Sequence, residues 1–145
     1  MTVERMDHVG IVVEDLAAAK AFFVELGLEV QGEWEAEDDA VDRIVGLEGV
    51  RAQCAMVQTP DGHAKLELVQ FDSPSGPDGD RQAPANAPGI RHLTFEVDDL
   101  DAVLDGLGAH GAELVGEVES YGDTYRLCYI RGPEGIIVEL AERAG

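Results

Sequence analysis

Apolar and polar residues alternate through Asp7-His8-Val9-Gly10-Ile11-Val12-Val13, and alternate again through Arg91-His92-Leu93-Thr94-Phe95-Glu96-Val97. In the first stretch Val9, Ile11 and Val13 fall on one face and His8, Gly10 and Val12 on the other. In the second, Leu93, Phe95 and Val97 oppose His92, Thr94 and Glu96. A period of two predicts a strand with one apolar face in each place. The spacing then lengthens: Leu16, Ala19, Phe23 and Leu26 recur as on a helix, as do Leu100, Val103 and Leu107. Asp15 and Asp99 stand where N-caps belong, and Gly27 and Gly111 supply the stops. Strands are expected around residues 28–34 and 112–118. Two hairpins follow, turning at Thr59-Pro60-Asp61-Gly62 and at Gly132-Pro133-Glu134-Gly135.

These two series are one pattern written twice. His8 and His92, Val13 and Val97, Asp15 and Asp99, Leu16 and Leu100, Ala18 and Ala102, Gly27 and Gly111, and Glu29 and Glu113 are all 84 positions apart. The expected organisation is a first βαβββ module over residues 1–71, a linker over 72–88 rich in Pro, Gly, Ser and Asp, and a second βαβββ module over 89–145. The two together are expected to make one structural domain of the α+β class. The copies differ chiefly by an insertion over residues 38–46, which reads as a short amphipathic helix.

The alternation also leaves polar residues where a half-buried sheet should not carry them. Leu66 and Leu68 belong under the helix with Val9 and Ile11, so Glu67 points to the opposite, concave face. Glu139, between Val138 and Leu140, does the same. His8 and His92 already point there. A carboxylate held on a strand away from water needs a partner or a cation, and two imidazoles with two carboxylates form a first shell for a divalent metal: Zn, Ni, Co, Mn or Fe. His63, in a turn, and His110, at a helix end, have no counterpart in the other copy and read as surface residues.

Composition narrows the partners. The 145 residues carry 30 acidic against 10 basic side chains, a net charge of −20 at pH 7, which repels phosphate backbones and anionic membrane surfaces. Nucleic acid and membrane are excluded as partners on that basis, and no apolar run approaches the roughly 18 residues of a membrane span. The first residues lack a signal-peptide pattern, so the cytoplasm is the expected location. The acidity, with only Lys20 and Lys65 among the lysines, would suit a salt-rich cell. Cys54 and Cys128 lie in apolar stretches and read as buried free thiols.

On these residues the chain resembles the vicinal oxygen chelate superfamily, which includes glyoxalase I, methylmalonyl-CoA epimerase, fosfomycin and bleomycin resistance proteins and extradiol dioxygenases. The match runs from Asp7-His8-Val9-Gly10-Ile11 through Gly89-Ile90-Arg91-His92-Leu93 to Gly132-Pro133-Glu134-Gly135-Ile136-Ile137-Val138-Glu139-Leu140. It implies tandem modules that form an open, metal-centred half-barrel, with His8, Glu67, His92 and Glu139 as ligands. That ligand set looks like metal-dependent bacterial glyoxalase I. The implied activity is that of a lyase or isomerase binding vicinal oxygens of a small substrate on a divalent metal and moving a proton through an enediolate-like intermediate. Glu139 is the implied base, and Glu67 serves the opposite face of the substrate.

The other members remain as alternatives. An epimerase typically has Gln at the position of Glu67, and its base aligns near Gln53 here. Iron-dependent dioxygenases use two His and one carboxylate, and the drug-binding resistance proteins often lack the ligands that this chain retains. Arg126, Tyr121 and Tyr125 are the candidate substrate-binding residues, with Arg51 and Arg131 as further cations whose facing the alternation does not fix. The resemblance also implies a homodimer.

Overall fold

The computed structural model describes residues 2–144 and divides into two compact units, residues 1–78 and 79–145. The chain is of the α+β class, with two sheets and, among the described residues, three α-helices and no closed barrel. In the first unit the elements run β1 (Val9–Val12), α1 (Leu16–Leu26), β2 (Glu29–Ala36), α2 (Asp39–Val45), β3 (Arg51–Gln58) and β4 (Lys65–Ser73). The sheet order is β1-β4-β3-β2, with β1 parallel to β4 and the other neighbours antiparallel. β4 thus extends two residues into the stretch expected as linker.

Asp15 caps α1 by accepting from the Ala18 N–H at 3.0 Å, and Gly27 ends the helix at φ 122°, a conformation that favours glycine. Ala19, Phe22 and Phe23 are fully buried with Ala55, Val57 and Leu68, so α1 covers the sheet face on which Leu66 and Leu68 lie. The insertion is a helix, as expected, capped by Asp38 and ended by Gly46. Val41 of α2 packs with Ala36, Val69 and Phe71 against buried Val50, Ala52 and Cys54.

The second unit repeats the plan: β5 (His92–Val97), α3 (Leu100–Gly108), β6 (Glu113–Leu114), β7 (Glu119–Tyr121), β8 (Tyr125–Arg131) and β9 (Ile137–Arg143). Its order is β5-β9-β8-β6, with β7 also paired to β8. Asp99 caps α3 as Asp15 caps α1. Leu100, Leu107, Cys128, Ile130, Val138 and Leu140 form its core. A further parallel joins helix to sheet: the Leu16 N–H donates to Gln70 Oε1 at 2.9 Å, and the Leu100 N–H to Glu142 Oε2 at 2.7 Å. Each last strand thereby satisfies a helix-start amide that the helix itself leaves open.

The strand expected over residues 112–118 forms only at Glu113–Leu114, and β7 starts beyond that range at Glu119. Between the pairs Leu114–Ile130 and Glu119–Leu127 the outer strand spends two residues more than β8 does. The first unit has a milder irregularity at the same place in the repeat, where Gln31 is one extra residue between the pairs Val30–Val57 and Gly32–Met56. Gly32 and Gly116 stand at these two sites, again 84 apart.

The linker's second half belongs to the second unit. The turn Pro133–Gly135 carries Gly135 at φ 84°, and a Cβ there would stand 2.2 Å from the Arg81 carbonyl oxygen. Arg131 donates to the carbonyls of Gly135 and Arg81 at 3.2 and 3.4 Å. A glycine is required where the two main chains cross this closely.

Candidate functional site

Strand register decides which side chains share a face. Gly10 lies beside Glu67 across the β1–β4 ladder, and Met56 lies opposite it on β3. His8, two residues before Gly10, projects to the same side. Its Nε2 stands 3.9 Å from Glu67 Oε1. In the second unit Thr94 is beside Glu139, Tyr129 is opposite it, and His92 Nε2 lies 3.8 Å from Glu139 Oε1. The repeat therefore builds the same His–Glu pair twice, once in each unit.

Each imidazole is held by its other nitrogen. His8 Nδ1 lies 2.8 Å from Asp7 Oδ2. A carboxylate only accepts, so Nδ1 carries a proton and donates it to Asp7, which leaves Nε2 facing Glu67. Asp7 also accepts from Arg5 and Lys65, at 3.2 and 3.3 Å. These donors, His8 foremost, hold its carboxyl well below the usual carboxylate range. His92 Nδ1 meets the Tyr129 hydroxyl at 3.4 Å, with the rings 5.0 Å apart and tilted by 39°.

The carboxylates differ more than the imidazoles do. Thr94 Oγ1–H donates to Glu139 Oε1 at 2.7 Å, whereas the equivalent position beside Glu67 is Gly10 and supplies nothing. Glu139 is 19% exposed and Glu67 26%, and among the described residues neither has a Lys or Arg within ion-pair distance. Both charges are thus partly withdrawn from water without a cation.

The donor chemistry fits a divalent ion. Nitrogen and oxygen donors about 2.1 Å from one metal stand roughly 3.0–3.5 Å apart. The observed 3.9 and 3.8 Å are too long for hydrogen bonds and a few tenths of an ångström from that bite. Within a unit the donors come only as a pair. Among the described residues no group of three or more His, Cys, Asp or Glu side chains is gathered as a ready-made cage.

In the second unit an open cleft of about 330 Å³ is lined by Val115, Gly116, Glu117, Glu119, Leu127, Cys128, Tyr129 and Glu139. Glu119 pairs with Leu127 in the ladder, so it lies on the Glu139 face. The candidate base is thus a wall of a cavity.

The residues proposed for substrate lie elsewhere. Arg126 shares its face with buried Cys128 and Ile130 under α3, and its guanidinium pairs with Asp101 at 3.2 Å and Glu142 at 3.4 Å. Those carboxylates, Asp101 first, raise its pKa further. Tyr125 lies on the Glu139 face but at its far end, beneath the Arg143 guanidinium, which also pairs with Glu96. Tyr121 is 74% exposed beside it. Neither tyrosine lines the cleft. Arg51 pairs with Glu37, and Arg131 is spent on main-chain carbonyls. Gln53, where an epimerase would carry its base, is on the α1-covered face and donates to Asp72.

Sequence reasoning passed over Asp7, Thr94, Tyr129 and Glu119. The first two carried a signal: Asp7 precedes the histidine directly, and Thr94 follows His92 at the two-residue spacing that shares a face. Both cysteines are free and buried, and burial pushes both thiols up, the nearby Glu67 charge adding to the effect at Cys54. They are protonated and take no part as nucleophiles.

Two repeated sheets, each with a His–Glu pair facing away from its helix, define a class, and the comparisons with known proteins agree with it. Residues 5–140 match the Glyoxalase/Bleomycin resistance protein/Dioxygenase superfamily, and the chain belongs to that superfamily. A crystal structure of a glyoxalase family protein from Bacillus cereus is 46% identical, with a TM-score of 0.96, covering 100% of this chain and 97% of that one. The protein YaeR of Escherichia coli is 28% identical over 142 residues, 97% of each chain. An ethylmalonyl-CoA/methylmalonyl-CoA epimerase of Cereibacter sphaeroides is 29% identical over 143 residues, 95% of this chain and 97% of the relative. No described helix is long and apolar enough to cross a membrane.

Proposed function

We propose that this chain is a metal-dependent lyase or isomerase of the glyoxalase type, with His8, Glu67, His92 and Glu139 as the metal donors. The observation that carries the reading is the paired imidazoles, each contacted through Nδ1 and each with Nε2 facing a carboxylate just beyond hydrogen-bond reach. A divalent ion bound there supplies positive charge beside two neighbouring oxygens of a substrate, which lowers the cost of removing the proton next to a carbonyl.

The chain's own groups do the rest. Asp7 keeps the His8 proton on Nδ1, and the Tyr129 oxygen can accept the corresponding proton of His92. Glu139 takes up the substrate proton and returns it. Thr94 binds one of its oxygens, which leaves the other for that transfer. Glu67, without such a tether, serves the opposite face of the substrate. Val115, Leu127 and Tyr129 give the cleft an apolar wall against which the carbon skeleton of a substrate can pack.

The test combines metal content and proton exchange. Purified protein should carry a divalent metal by elemental analysis, and chelation should lower its melting temperature. In deuterated water the loaded protein should exchange the α-proton of a hydroxyketone or hemithioacetal, read by NMR. Glu139→Gln should abolish that exchange while circular dichroism stays unchanged. Metal-replete protein that binds no metal would sink the reading. A second reading, a CoA-thioester epimerase, is favoured by the relative from Cereibacter sphaeroides and opposed by Gln53, which cannot take a proton and lies on the sheet face opposite Glu67. Exchange confined to acyl-CoA substrates would select it.

A further inference from the structure

Ladder pairing runs one apolar row straight across the first sheet beside Glu67. Val12 pairs with Val69, Val69 with Cys54, and Cys54 with Trp34. Val69 stands two residues from Glu67 on β4, so the row shares the Glu67 face. The extra residue at Gln31 places Trp34 here and Glu33 and Glu35 on the opposite face, because a one-residue shift exchanges the faces of a strand. The second unit has no such row. Its irregularity takes two residues, and the matching strip beside Glu139 runs Glu96, Ala141, Leu127 and Glu119, with a carboxylate at each end.

The row that holds Glu67 is itself short of side chains. Gly10 stands at one end of it and Gly32 at the other, with Met56 between Glu67 and Gly32. A Cβ added at either glycine would meet nothing within 4 Å. On the far side of the apolar row α2 covers the sheet, its Val41 packed with Ala36 and Phe71. Between that cover and Glu67, Val12 and Trp34 remain 65% and 40% exposed. The strip left open is three strand spacings wide and two residues deep, about 14 by 7 Å. Its area is about an eighth of the roughly 800 Å² that each partner of a stable protein complex buries. It is too small for a second chain and continuous with the candidate metal donor, so its occupant is part of a small substrate.

We infer that the substrate carries an aryl group beside its metal-binding oxygens, and that Trp34 selects this group by packing against it. The inference rests on the metal-dependent reading for the oxygens at Glu67. The main chains of β4 and β2 are two spacings apart, about 10 Å, which leaves room for one ring between the carboxylate and the indole. An indole offers a ring both area and a favourable quadrupole, and the flexible Met56 on the strand between them adapts beneath it. A charged substituent would lose water there and gain no partner. The helix α2, which the second unit lacks, thus closes the end of a specificity pocket.

Trp34 is the one tryptophan of the chain, so its emission reports occupancy directly. Benzohydroxamate and acetohydroxamate share a neutral head with two neighbouring oxygens and differ in carrying phenyl or methyl. Calorimetry on zinc-loaded protein should show benzohydroxamate binding about tenfold tighter. Benzohydroxamate should shift the Trp34 emission, and acetohydroxamate should leave it nearly unchanged. Trp34→Phe should keep the preference, whereas Trp34→Ala should reduce it below about threefold. Gly32→Leu fills the open space and should weaken benzohydroxamate about tenfold but acetohydroxamate by less than about twofold. Equal affinities, a preference that survives both Trp34→Ala and Gly32→Leu, or emission unmoved at saturating benzohydroxamate would each overturn the inference. Zinc-loaded protein that binds the two probes equally would remove the aryl pocket and leave the metal reading standing. Protein that binds no divalent ion, yet whose emission benzohydroxamate shifts in wild type and not in Gly32→Leu, would remove the metal reading and keep the pocket.

Discussion

A single hydroxyl distinguishes the two His–Glu pairs. Thr94 fixes Glu139, while Gly10 leaves Glu67 free to turn. An outer partner of this kind typically changes metal affinity by about 10–100-fold. Thr94→Val keeps the shape and removes the donor, so it should weaken metal binding by about tenfold or more in a competition titration with a chelator. Gly10→Thr should act far less, since it adds a partner to a carboxylate that has none. Equal metal affinity in wild type and Thr94→Val would remove Thr94 from the site. The histidines and glutamates were legible in the sequence because a period of two fixes their faces as soon as one apolar face is known. Arg126 was not, because Tyr125-Arg126-Leu127-Cys128-Tyr129-Ile130 has no polar alternation. Only the ladder pairing with β9 puts Arg126 under α3.

Among the elements, the hairpins and caps were the most readable and the broken outer strand the least. Asp15 and Asp99 announce their helices because the cap is a local contact, three residues long. The split between β6 and β7 depends on how many residues β8 spends opposite Val115–Val118, a tertiary quantity with no local signature. The tight turn after β8 makes a firm prediction. Gly135→Ala would set a methyl group against the Arg81 backbone and strain a positive φ, and should cost about 3 kcal/mol in chemical denaturation.

The β3–β4 hairpin gives a pH signature. Asp61 accepts from the Thr59 hydroxyl and the His63 N–H, which lower its pKa below the ordinary value. The unfolded chain therefore takes up this proton at a higher pH than the folded one does. The stabilisation is complete above the unfolded pKa near 4 and is lost as pH falls through the folded one. Asp61→Asn should be less stable than wild type at pH 6, and the difference should shrink toward pH 2 in urea melts.

For the molecule as a whole, the net charge of −20 opposes compaction. Salt screens that repulsion, so the melting temperature should rise by several degrees between about 0.05 and 1 M NaCl, as followed by circular dichroism. A flat or falling response would mean that the ion pairs at Asp7, Arg126 and Arg143 outweigh the general repulsion.

The unequal irregularities at Gln31 and Val115–Val118 bear on how duplicated modules diverge. Substitution alters one side chain at a time, but an insertion or deletion of one residue in an outer strand inverts every position beyond it. The residues that were helix packing become cavity lining, with no change in their identity. Two copies that keep the same glutamates can then present them on different faces, and a deletion of one residue between Leu114 and Glu119 should carry Glu119 to the opposite side of its sheet.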